Sequence, residues 1–209
     1  MKSYFLLLLC LTFIYSSNAQ NEGYIQAAYN AIKTKEYSKA VEQYTIAINN
    51  ASGYAPAYYG RGLAYFYMNE NEKAIADFNK TLELDKRNFE ALYARGMCNA
   101  RNSNWQEAIN DFSASLAITN AYPEAFYARG NAYYLLEKYD QALVDYDKAI
   151  SLQPNFGLAY YGRAVINKIQ NRNANAISDF EKYLELNSNT DNLADEVKRL
   201  IKEAQADGR

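Results

Sequence analysis

The stretch Ala57–Tyr67, AYYGRGLAYFY, comes back as ALYARGMCNA from Ala91, AFYARGNAYY from Ala125 and AYYGRAVINK from Ala159, each time 34 residues further on. A period in the thirties marks stacked supersecondary units. Aligning the phrase with itself yields five blocks without insertion or deletion: 21–54, 55–88, 89–122, 123–156 and 157–190.

The second half of every block carries one pattern. Ala40, Ala74, Ala108, Ala142 and Ala176 share a column, each followed by a branched aliphatic residue (Val41, Ile75, Ile109, Leu143, Ile177). Four residues past each Ala stands an aromatic (Tyr44, Phe78, Phe112, Tyr146, Phe180), and eight past it an aliphatic (Ile48, Leu82, Leu116, Ile150, Leu184). Spacings of four and eight trace one stripe of an α-helix, so each block ends in an amphipathic helix of about three turns. The first half is a second helix, with Tyr58, Arg61, Gly62 and Tyr65 on one face and the columns repeating at Leu92, Arg95, Gly96 and at Phe126, Arg129, Gly130, Tyr133. A mid-helix Gly costs up to about 1 kcal/mol against Ala and so needs a reason. Close approach to the facing Ala column supplies one, and Ala28 and Ala164 keep the position small in the end blocks. The polar turns between the helices, such as MNENEK, are short enough to force an antiparallel hairpin.

These blocks resemble the tetratricopeptide repeat: 34 residues, helix–turn–helix, aromatic then Gly then Tyr in the first helix, Ala and an aromatic in the second. The resemblance covers 21–190. It departs from the family at the closing proline, kept only as Pro154, and at Asn99 and Asn167, which replace the usual Tyr. It implies an all-α, right-handed solenoid of five hairpins with the first helices on the inner wall. After the last block, Leu193, Val197, Leu200, Ile201 and Ala204 form an apolar stripe opposite Lys198, Arg199, Lys202 and Glu203. We read 191–207 as the capping helix that covers the final hairpin, with Asp191 or Asn192 at its start.

Two columns are candidates for more than packing. Arg61, Arg95, Arg129 and Arg163 fall on a stripe that should be buried, and a buried charge demands a partner. Sixteen residues beyond them stand Asp77, Asp111, Asp145 and Asp179, while the first block has lost both members (Ala27, Gln43). Joint presence and joint loss predict an Arg–Asp pair within each of the four later blocks. A ligand-binding ladder of arginines is the functional alternative. The second column is turned about 100° on the first helices. It contains Tyr59, Leu63 and Phe66; Tyr93 and Met97; Tyr127, Asn131 and Tyr134; and Tyr161. On the inner wall these residues would line a groove, and the resemblance implies that the groove takes peptides or helices of partner proteins. Tyr suits that task because it offers a large contact area and an orienting hydroxyl at small entropic cost. The plainer reading packs the ring bases between neighbouring first helices and leaves only their edges in the groove wall. Family members that hold acidic chaperone tails use Lys, Asn and Arg at positions that here carry Ile25, Tyr29, Gly60, Glu90 and Ala94, so that clamp is not expected.

Composition narrows the function further. The 209 residues carry a net charge of −2, contain 21 Tyr and lack His. Near-neutral charge argues against nucleic acid as a partner. Without His, and with Cys98 the one cysteine beyond Cys10, Ser–His and Cys–His relays are excluded, and a zinc site would need carboxylates alone. We expect no catalysis, no metal and no cofactor. Lys2, the apolar run Tyr4–Tyr15 and the small residues ending at Ala19 have the layout of a secretory signal peptide over 1–19. Export to the periplasm or the cell exterior follows, with no transmembrane segment after cleavage. The expected function is a protein-interaction scaffold binding partner peptides or helices. A glycan-binding envelope protein and a self-associating architectural subunit are the alternatives, and the oligomeric state is not legible here.

Overall fold

A computed structural model of the chain describes residues 21–187 and 193–207, and the regular structure among them is entirely helical. The expected signal peptide and the residues proposed to start the last helix, Asp191 and Asn192, lie outside the described residues. The helices are α1 (21–33), α2 (Tyr37–Asn50), α3 (Ala55–Tyr67), α4 (Asn71–Leu84), α5 (Phe89–Arg101), α6 (Trp105–Ile118), α7 (Pro123–Leu135), α8 (Tyr139–Leu152), α9 (Gly157–Ile169), α10 (Asn173–Leu186) and α11 (Ala194–Asp207). The second helices run 14 residues, close to four turns rather than the expected three. These helices form two compact units that divide between Asn102 and Ser103, inside the third sequence block.

The first unit holds α1 to α5. Ala28 and Ala31 of α1 pack with Ala40, Tyr44, Ala47 and Ile48 of α2 and reach Ala57 and Ala64 of α3. A second cluster joins Ala74 and Phe78 of α4 to Ala94 and Cys98 of α5. The second unit holds α6 to α11, with Ala142, Tyr146 and Ile166 forming the cluster between α8 and α9. Helix α11 packs on α10, and its stripe supplies buried Val197 and half-buried Leu193, Leu200 and Ile201 to a cluster with Ala176, Phe180 and Tyr183. That is the cover the last hairpin needs, because an uncovered terminal repeat would leave its apolar side in water.

Small and large residues alternate for a steric reason. The Ala column of the second helices is fully buried at all five positions, and Phe78, Phe112 and Phe180 are fully buried four residues on. The expectation that the mid-helix glycines face this Ala column holds at Gly130, where a Cβ would lie 3.4 Å from Ala142 O, but the nearest group at Gly62 and Gly130 is the aromatic ring. A Cβ on Gly62 would lie 2.7 Å from Cε1 of Phe78, and one on Gly130 would lie 2.8 Å from Cε1 of Tyr146. The small residue is thus a socket for the ring of its own hairpin.

The turns within hairpins follow a rule the residue types conceal. Lys35, Asn69, Ser103, Glu137 and Asn171, again 34 apart, all have φ near 60°. At four of them the hydrogen bonds complete the same helix stop. In α7, the amide of Lys138 donates to Tyr133 O at 2.9 Å and that of Glu137 to Tyr134 O at 2.9 Å. Those two bonds satisfy carbonyls the helix end would otherwise leave open. Glu and Lys carry a left-handed penalty that Gly avoids. Glu137→Gly therefore raises unfolding stability by about 0.5–1 kcal/mol in urea titration, the steric relief less the extra chain entropy of Gly, while Glu137→Ala does not.

Candidate functional site: the arginine ladder and the tyrosine faces

The four arginines sit on first helices at the seam between hairpins. Arg61 donates from Nε and Nη2 to both oxygens of Asp77, each at 2.8 Å. Arg129 makes the same fork on Asp145 at 2.8 and 2.7 Å, and Arg163 on Asp179 at 2.8 and 2.6 Å. The aspartates are buried, with side-chain exposures of 7%, 3% and 9%. Two parallel charge-assisted bonds match the planar guanidinium to the carboxylate, a fit Lys lacks. Burial pushes the Asp145 carboxyl up from its ordinary range, with the bonds from Arg129 pulling it back. Arg95 and Asp111 fall in different units.

A further partner was not foreseen. Nη1 of each arginine reaches back sixteen residues to the second helix of the preceding block: Thr45 from Arg61 at 3.1 Å, Asn79 from Arg95 at 2.6 Å, Ser113 from Arg129 at 3.0 Å and Asp147 from Arg163 at 2.5 Å. Each arginine therefore ties its own first helix to the second helix before it. The signal was present in the sequence as a polar column directly after the buried aromatic, but its members differ in type. Beside the Arg163–Asp147 bond lies a cleft of about 380 Å³ whose walls include Asn167, Asn175 and Ser178.

The second column forms a separate face in each unit. In the first, Tyr59, Leu63 and Phe66 of α3 are half-buried against the Phe78 cluster. The Tyr59 ring lies 6.0 Å from that of Phe78, and its hydroxyl shares a neighbourhood with those of Tyr44, Tyr67 and Tyr93. Met97 of α5 is half-buried. The Phe66 ring is covered by the Arg101 guanidinium, 3.5 Å from its centroid, while Arg101 Nη1 also donates to Phe66 O at 2.7 Å. Phe66 is thus engaged by its own unit.

In the second unit, Tyr127, Asn131 and Tyr134 lie along α7 and Tyr161 along α9. Tyr127 packs 6.0 Å from Tyr146 and 5.0 Å from Phe156, and Tyr161 packs 6.0 Å from Phe180 and 5.5 Å from Tyr183. The Tyr161 hydroxyl is pushed up by burial, then by Glu196 of α11 and by Tyr134 and Tyr127 in its neighbourhood. Their ring bases do pack, and Tyr59, Tyr127 and Tyr161 each meet the aromatic nineteen residues later, while Tyr134 packs 6.0 Å from Tyr139. Lys168, beyond Val165 on α9, is paired with Glu203 of α11 at 3.1 Å. Leu135 and Ile169, which end α7 and α9, stay 49% and 46% exposed and give this region apolar surface in water.

A steric match also sets which aromatic each hairpin carries. Where the second helix has Tyr (Tyr44, Tyr146), the next first helix has Gly sixteen residues on (Gly60, Gly162); where it has Phe (Phe78, Phe112), Ala stands there (Ala94, Ala128). A Cβ on Gly60 would lie 2.5 Å from the Tyr44 hydroxyl oxygen, and one on Gly162 would lie 3.0 Å from that of Tyr146. The hydroxyl takes the methyl's place. Fifteen residues before these tyrosines the first helix carries a polar group, Tyr29 or Asn131, and before the phenylalanines an apolar one, Leu63 or Met97. Tyr146 Oη donates to Asn131 Oδ1 at 2.7 Å.

Two outcomes follow from this chemistry. Asp145→Ala costs about 3–5 kcal/mol in urea unfolding because it strands the Arg129 charge, and adding Arg129→Met restores most of the loss. Burial, with Glu90 nearby, pushes the Tyr59 hydroxyl up from 10 to about 12. The folded state thus favours neutral Tyr59, a contribution complete below pH 10 and lost as pH rises through 12. Alkaline unfolding measured across that window is shallower in Tyr59→Phe.

Among the described residues no helix is long and apolar enough to cross a membrane, and no cluster of His, Cys, Asp and Glu could hold a metal ion. Family models agree with the period. Tetratricopeptide repeat models match 55–88 and 123–156 and again 158–190, and a TPR repeat model matches 100–137. No curated protein matches the sequence. Among solved structures, MamA is 24% identical with a TM-score of 0.72, covering 77% of this chain and 94% of its own. YrrB, described as a TPR protein with an unusual peptide-binding site, is 22% identical at 0.70, covering 84% and 90%. PilF of Pseudomonas aeruginosa is 18% identical at 0.80, covering 92% and 88%. With the repeat matched across most of 55–190 and the same fold in these structures, the chain belongs to the tetratricopeptide repeat family.

Proposed function

We propose that the chain is an exported, non-catalytic scaffold that takes up peptide segments of partner proteins on its tyrosine-bearing first-helix faces. The observation that carries this reading is that Tyr127, Tyr134 and Tyr161 of α7 and α9 are packed at their ring bases on helices that end in exposed Leu135 and Ile169. Half-buried tyrosines packed at their bases are already ordered, so a partner does not have to freeze them on binding. Apolar side chains left in water at the helix ends gain most when a partner covers them. A peptide-binding site is described for YrrB, which shares this fold. Catalysis is disfavoured by a chain without His and with Cys98 buried. The signal-like segment 1–19 supports export to the periplasm or beyond.

The test places a photo-cross-linking amino acid at Tyr134 of the full-length chain in its own cells. Discrete protein adducts that disappear with Tyr127→Ala and Tyr161→Ala are expected, on a chain whose mass begins at Gln20. Adducts insensitive to both substitutions overturn the reading. So do adducts of the chain with itself, which would indicate self-association, and adducts with polysaccharide, which would indicate a glycan receptor.

A further inference from the structure

Three arginines of the ladder have an aromatic ring three residues before them. The guanidinium carbon lies 5.7 Å from the Tyr58 centroid at Arg61, 5.7 Å from that of Phe126 at Arg129 and 5.5 Å from that of Tyr160 at Arg163. Four residues on, a neighbouring position on the helix surface, Arg61 and Arg129 have a second aromatic, Tyr65 and Tyr133. The Tyr133 centroid lies 5.9 Å from the Arg129 carbon, and Lys73 Nζ stands over the Tyr65 ring at 5.4 Å. Both rings also pack against buried apolar clusters. After Arg163 the same position belongs to Asn167, and no second ring follows.

A cleft of about 380 Å³ lies where that ring is missing. Helix α8 contributes Leu143 and Asp147 to its walls, α9 Arg163 and Asn167, and α10 Asn175 and Ser178. Asn167 is 6% exposed; its Nδ2 reaches Asp179 Oδ2 at a long 3.4 Å, and its Oδ1 accepts from no described residue. Asn175 and Ser178 are exposed, and their side chains make no hydrogen bond to a described residue. Asp147 and Asp179 in the walls repel an anion, and Arg163 and Arg172 repel a cation, so the cleft suits a neutral group. Arg163 is already held by both carboxylates. What it lacks, beside Arg129, is a second ring.

We propose that this cleft receives one tyrosine side chain of a partner protein, which takes the place that Tyr133 fills beside Arg129: its ring lies against Arg163 and Leu143 and its hydroxyl among Asn167, Asn175 and Ser178. The chain supplies the template for its occupant, since the same arginine fork meets a tyrosine in the second and fourth blocks. A phenol fits because its ring face attracts a guanidinium and its hydroxyl both donates and accepts. One tyrosine seated in a pocket is also a common anchor of protein interfaces. The inference goes beyond the peptide-scaffold reading. Arg163 stands two residues from Tyr161, roughly 160° around α9, so the cleft and the tyrosine face are separate surfaces.

The probe is N-acetyl-tyrosinamide, titrated into the full chain and followed by the NMR signals of the Asn167 and Asn175 carboxamides. Saturable shifts are expected, about two- to tenfold weaker with N-acetyl-phenylalaninamide, which lacks the hydroxyl, and absent with N-acetyl-glycinamide. Asn167→Tyr refills the cleft from within, so it abolishes the shifts at Asn175 and raises the melting temperature. Asn175→Lys, at an exposed position where folding is not at risk, imitates Lys73 and tightens binding about two- to fivefold. A photo-cross-linking amino acid at Ser178, in the protein's own cells, is expected to give a protein adduct whose linked segment contains a tyrosine. Asn167→Tyr removes that adduct and leaves adducts formed at Tyr134 in place. Absence of saturable shifts, an equal response to the glycine probe, or shifts that survive Asn167→Tyr or weaken with Asn175→Lys overturn the proposal. So does a Ser178 adduct with a second copy of the chain, with a small molecule, or with a protein segment that has no tyrosine.

Discussion

The structure depends on the seating of one aromatic ring per hairpin in the place of a missing or minimal side chain. Phe78 fills the volume a Cβ on Gly62 would need, and Tyr146 does the same at Gly130. Burying such a ring is worth about 1.5–3 kcal/mol, and the small residue opposite allows the helix backbones to approach closely enough to realise it. The mid-helix Gly is costly as local helix chemistry and favourable as packing. No single hairpin has enough apolar surface to fold by itself, so the same seat repeated every 34 residues makes the core continuous through each unit.

Around that seat the polar chemistry is arranged by what burial demands. A guanidinium beside the ring cannot stay unpaired, so the hairpins of Arg61, Arg129 and Arg163 supply an aspartate in fork geometry and the preceding second helix supplies Thr45, Ser113 or Asp147 for the remaining nitrogen. Such pairs add little net stability over an apolar core of the same shape but fix how the elements meet. Arg163 lies between two carboxylates, Asp147 and Asp179, where Arg61 and Arg129 are each paired with one. At Arg61, Arg129 and Arg163 the guanidinium is thus held by groups of the protein itself.

The hydroxyl distinguishes the two kinds of hairpin. Phe78 ends inside the core, whereas Tyr146 carries a polar tip through to the first-helix side, where Asn131 receives it. One oxygen atom forces Gly at 162, because hydroxyl and methyl cannot share that volume. The Tyr146 hydroxyl thus links the packing at Gly162 to the Asn131 amide of α7.

By itself the sequence determined the helical hairpin, its number of copies, the buried Ala and aromatic columns, and the Arg–Asp pairing at Arg61, Arg129 and Arg163. Each is a periodic demand of burial, and periodicity survives in a linear string. The tertiary structure decided what depends on distance between helices. It set the aromatic ring closest to the glycine socket, ahead of the Ala column, covered Phe66 with Arg101, and set Lys35 and Glu137 left-handed without a glycine to announce it. It also joined the Asn131 amide oxygen to the Tyr146 hydroxyl. These outcomes rest on which atoms compete for one volume or one hydrogen bond, and residue types in a row do not carry that information until the helices have packed.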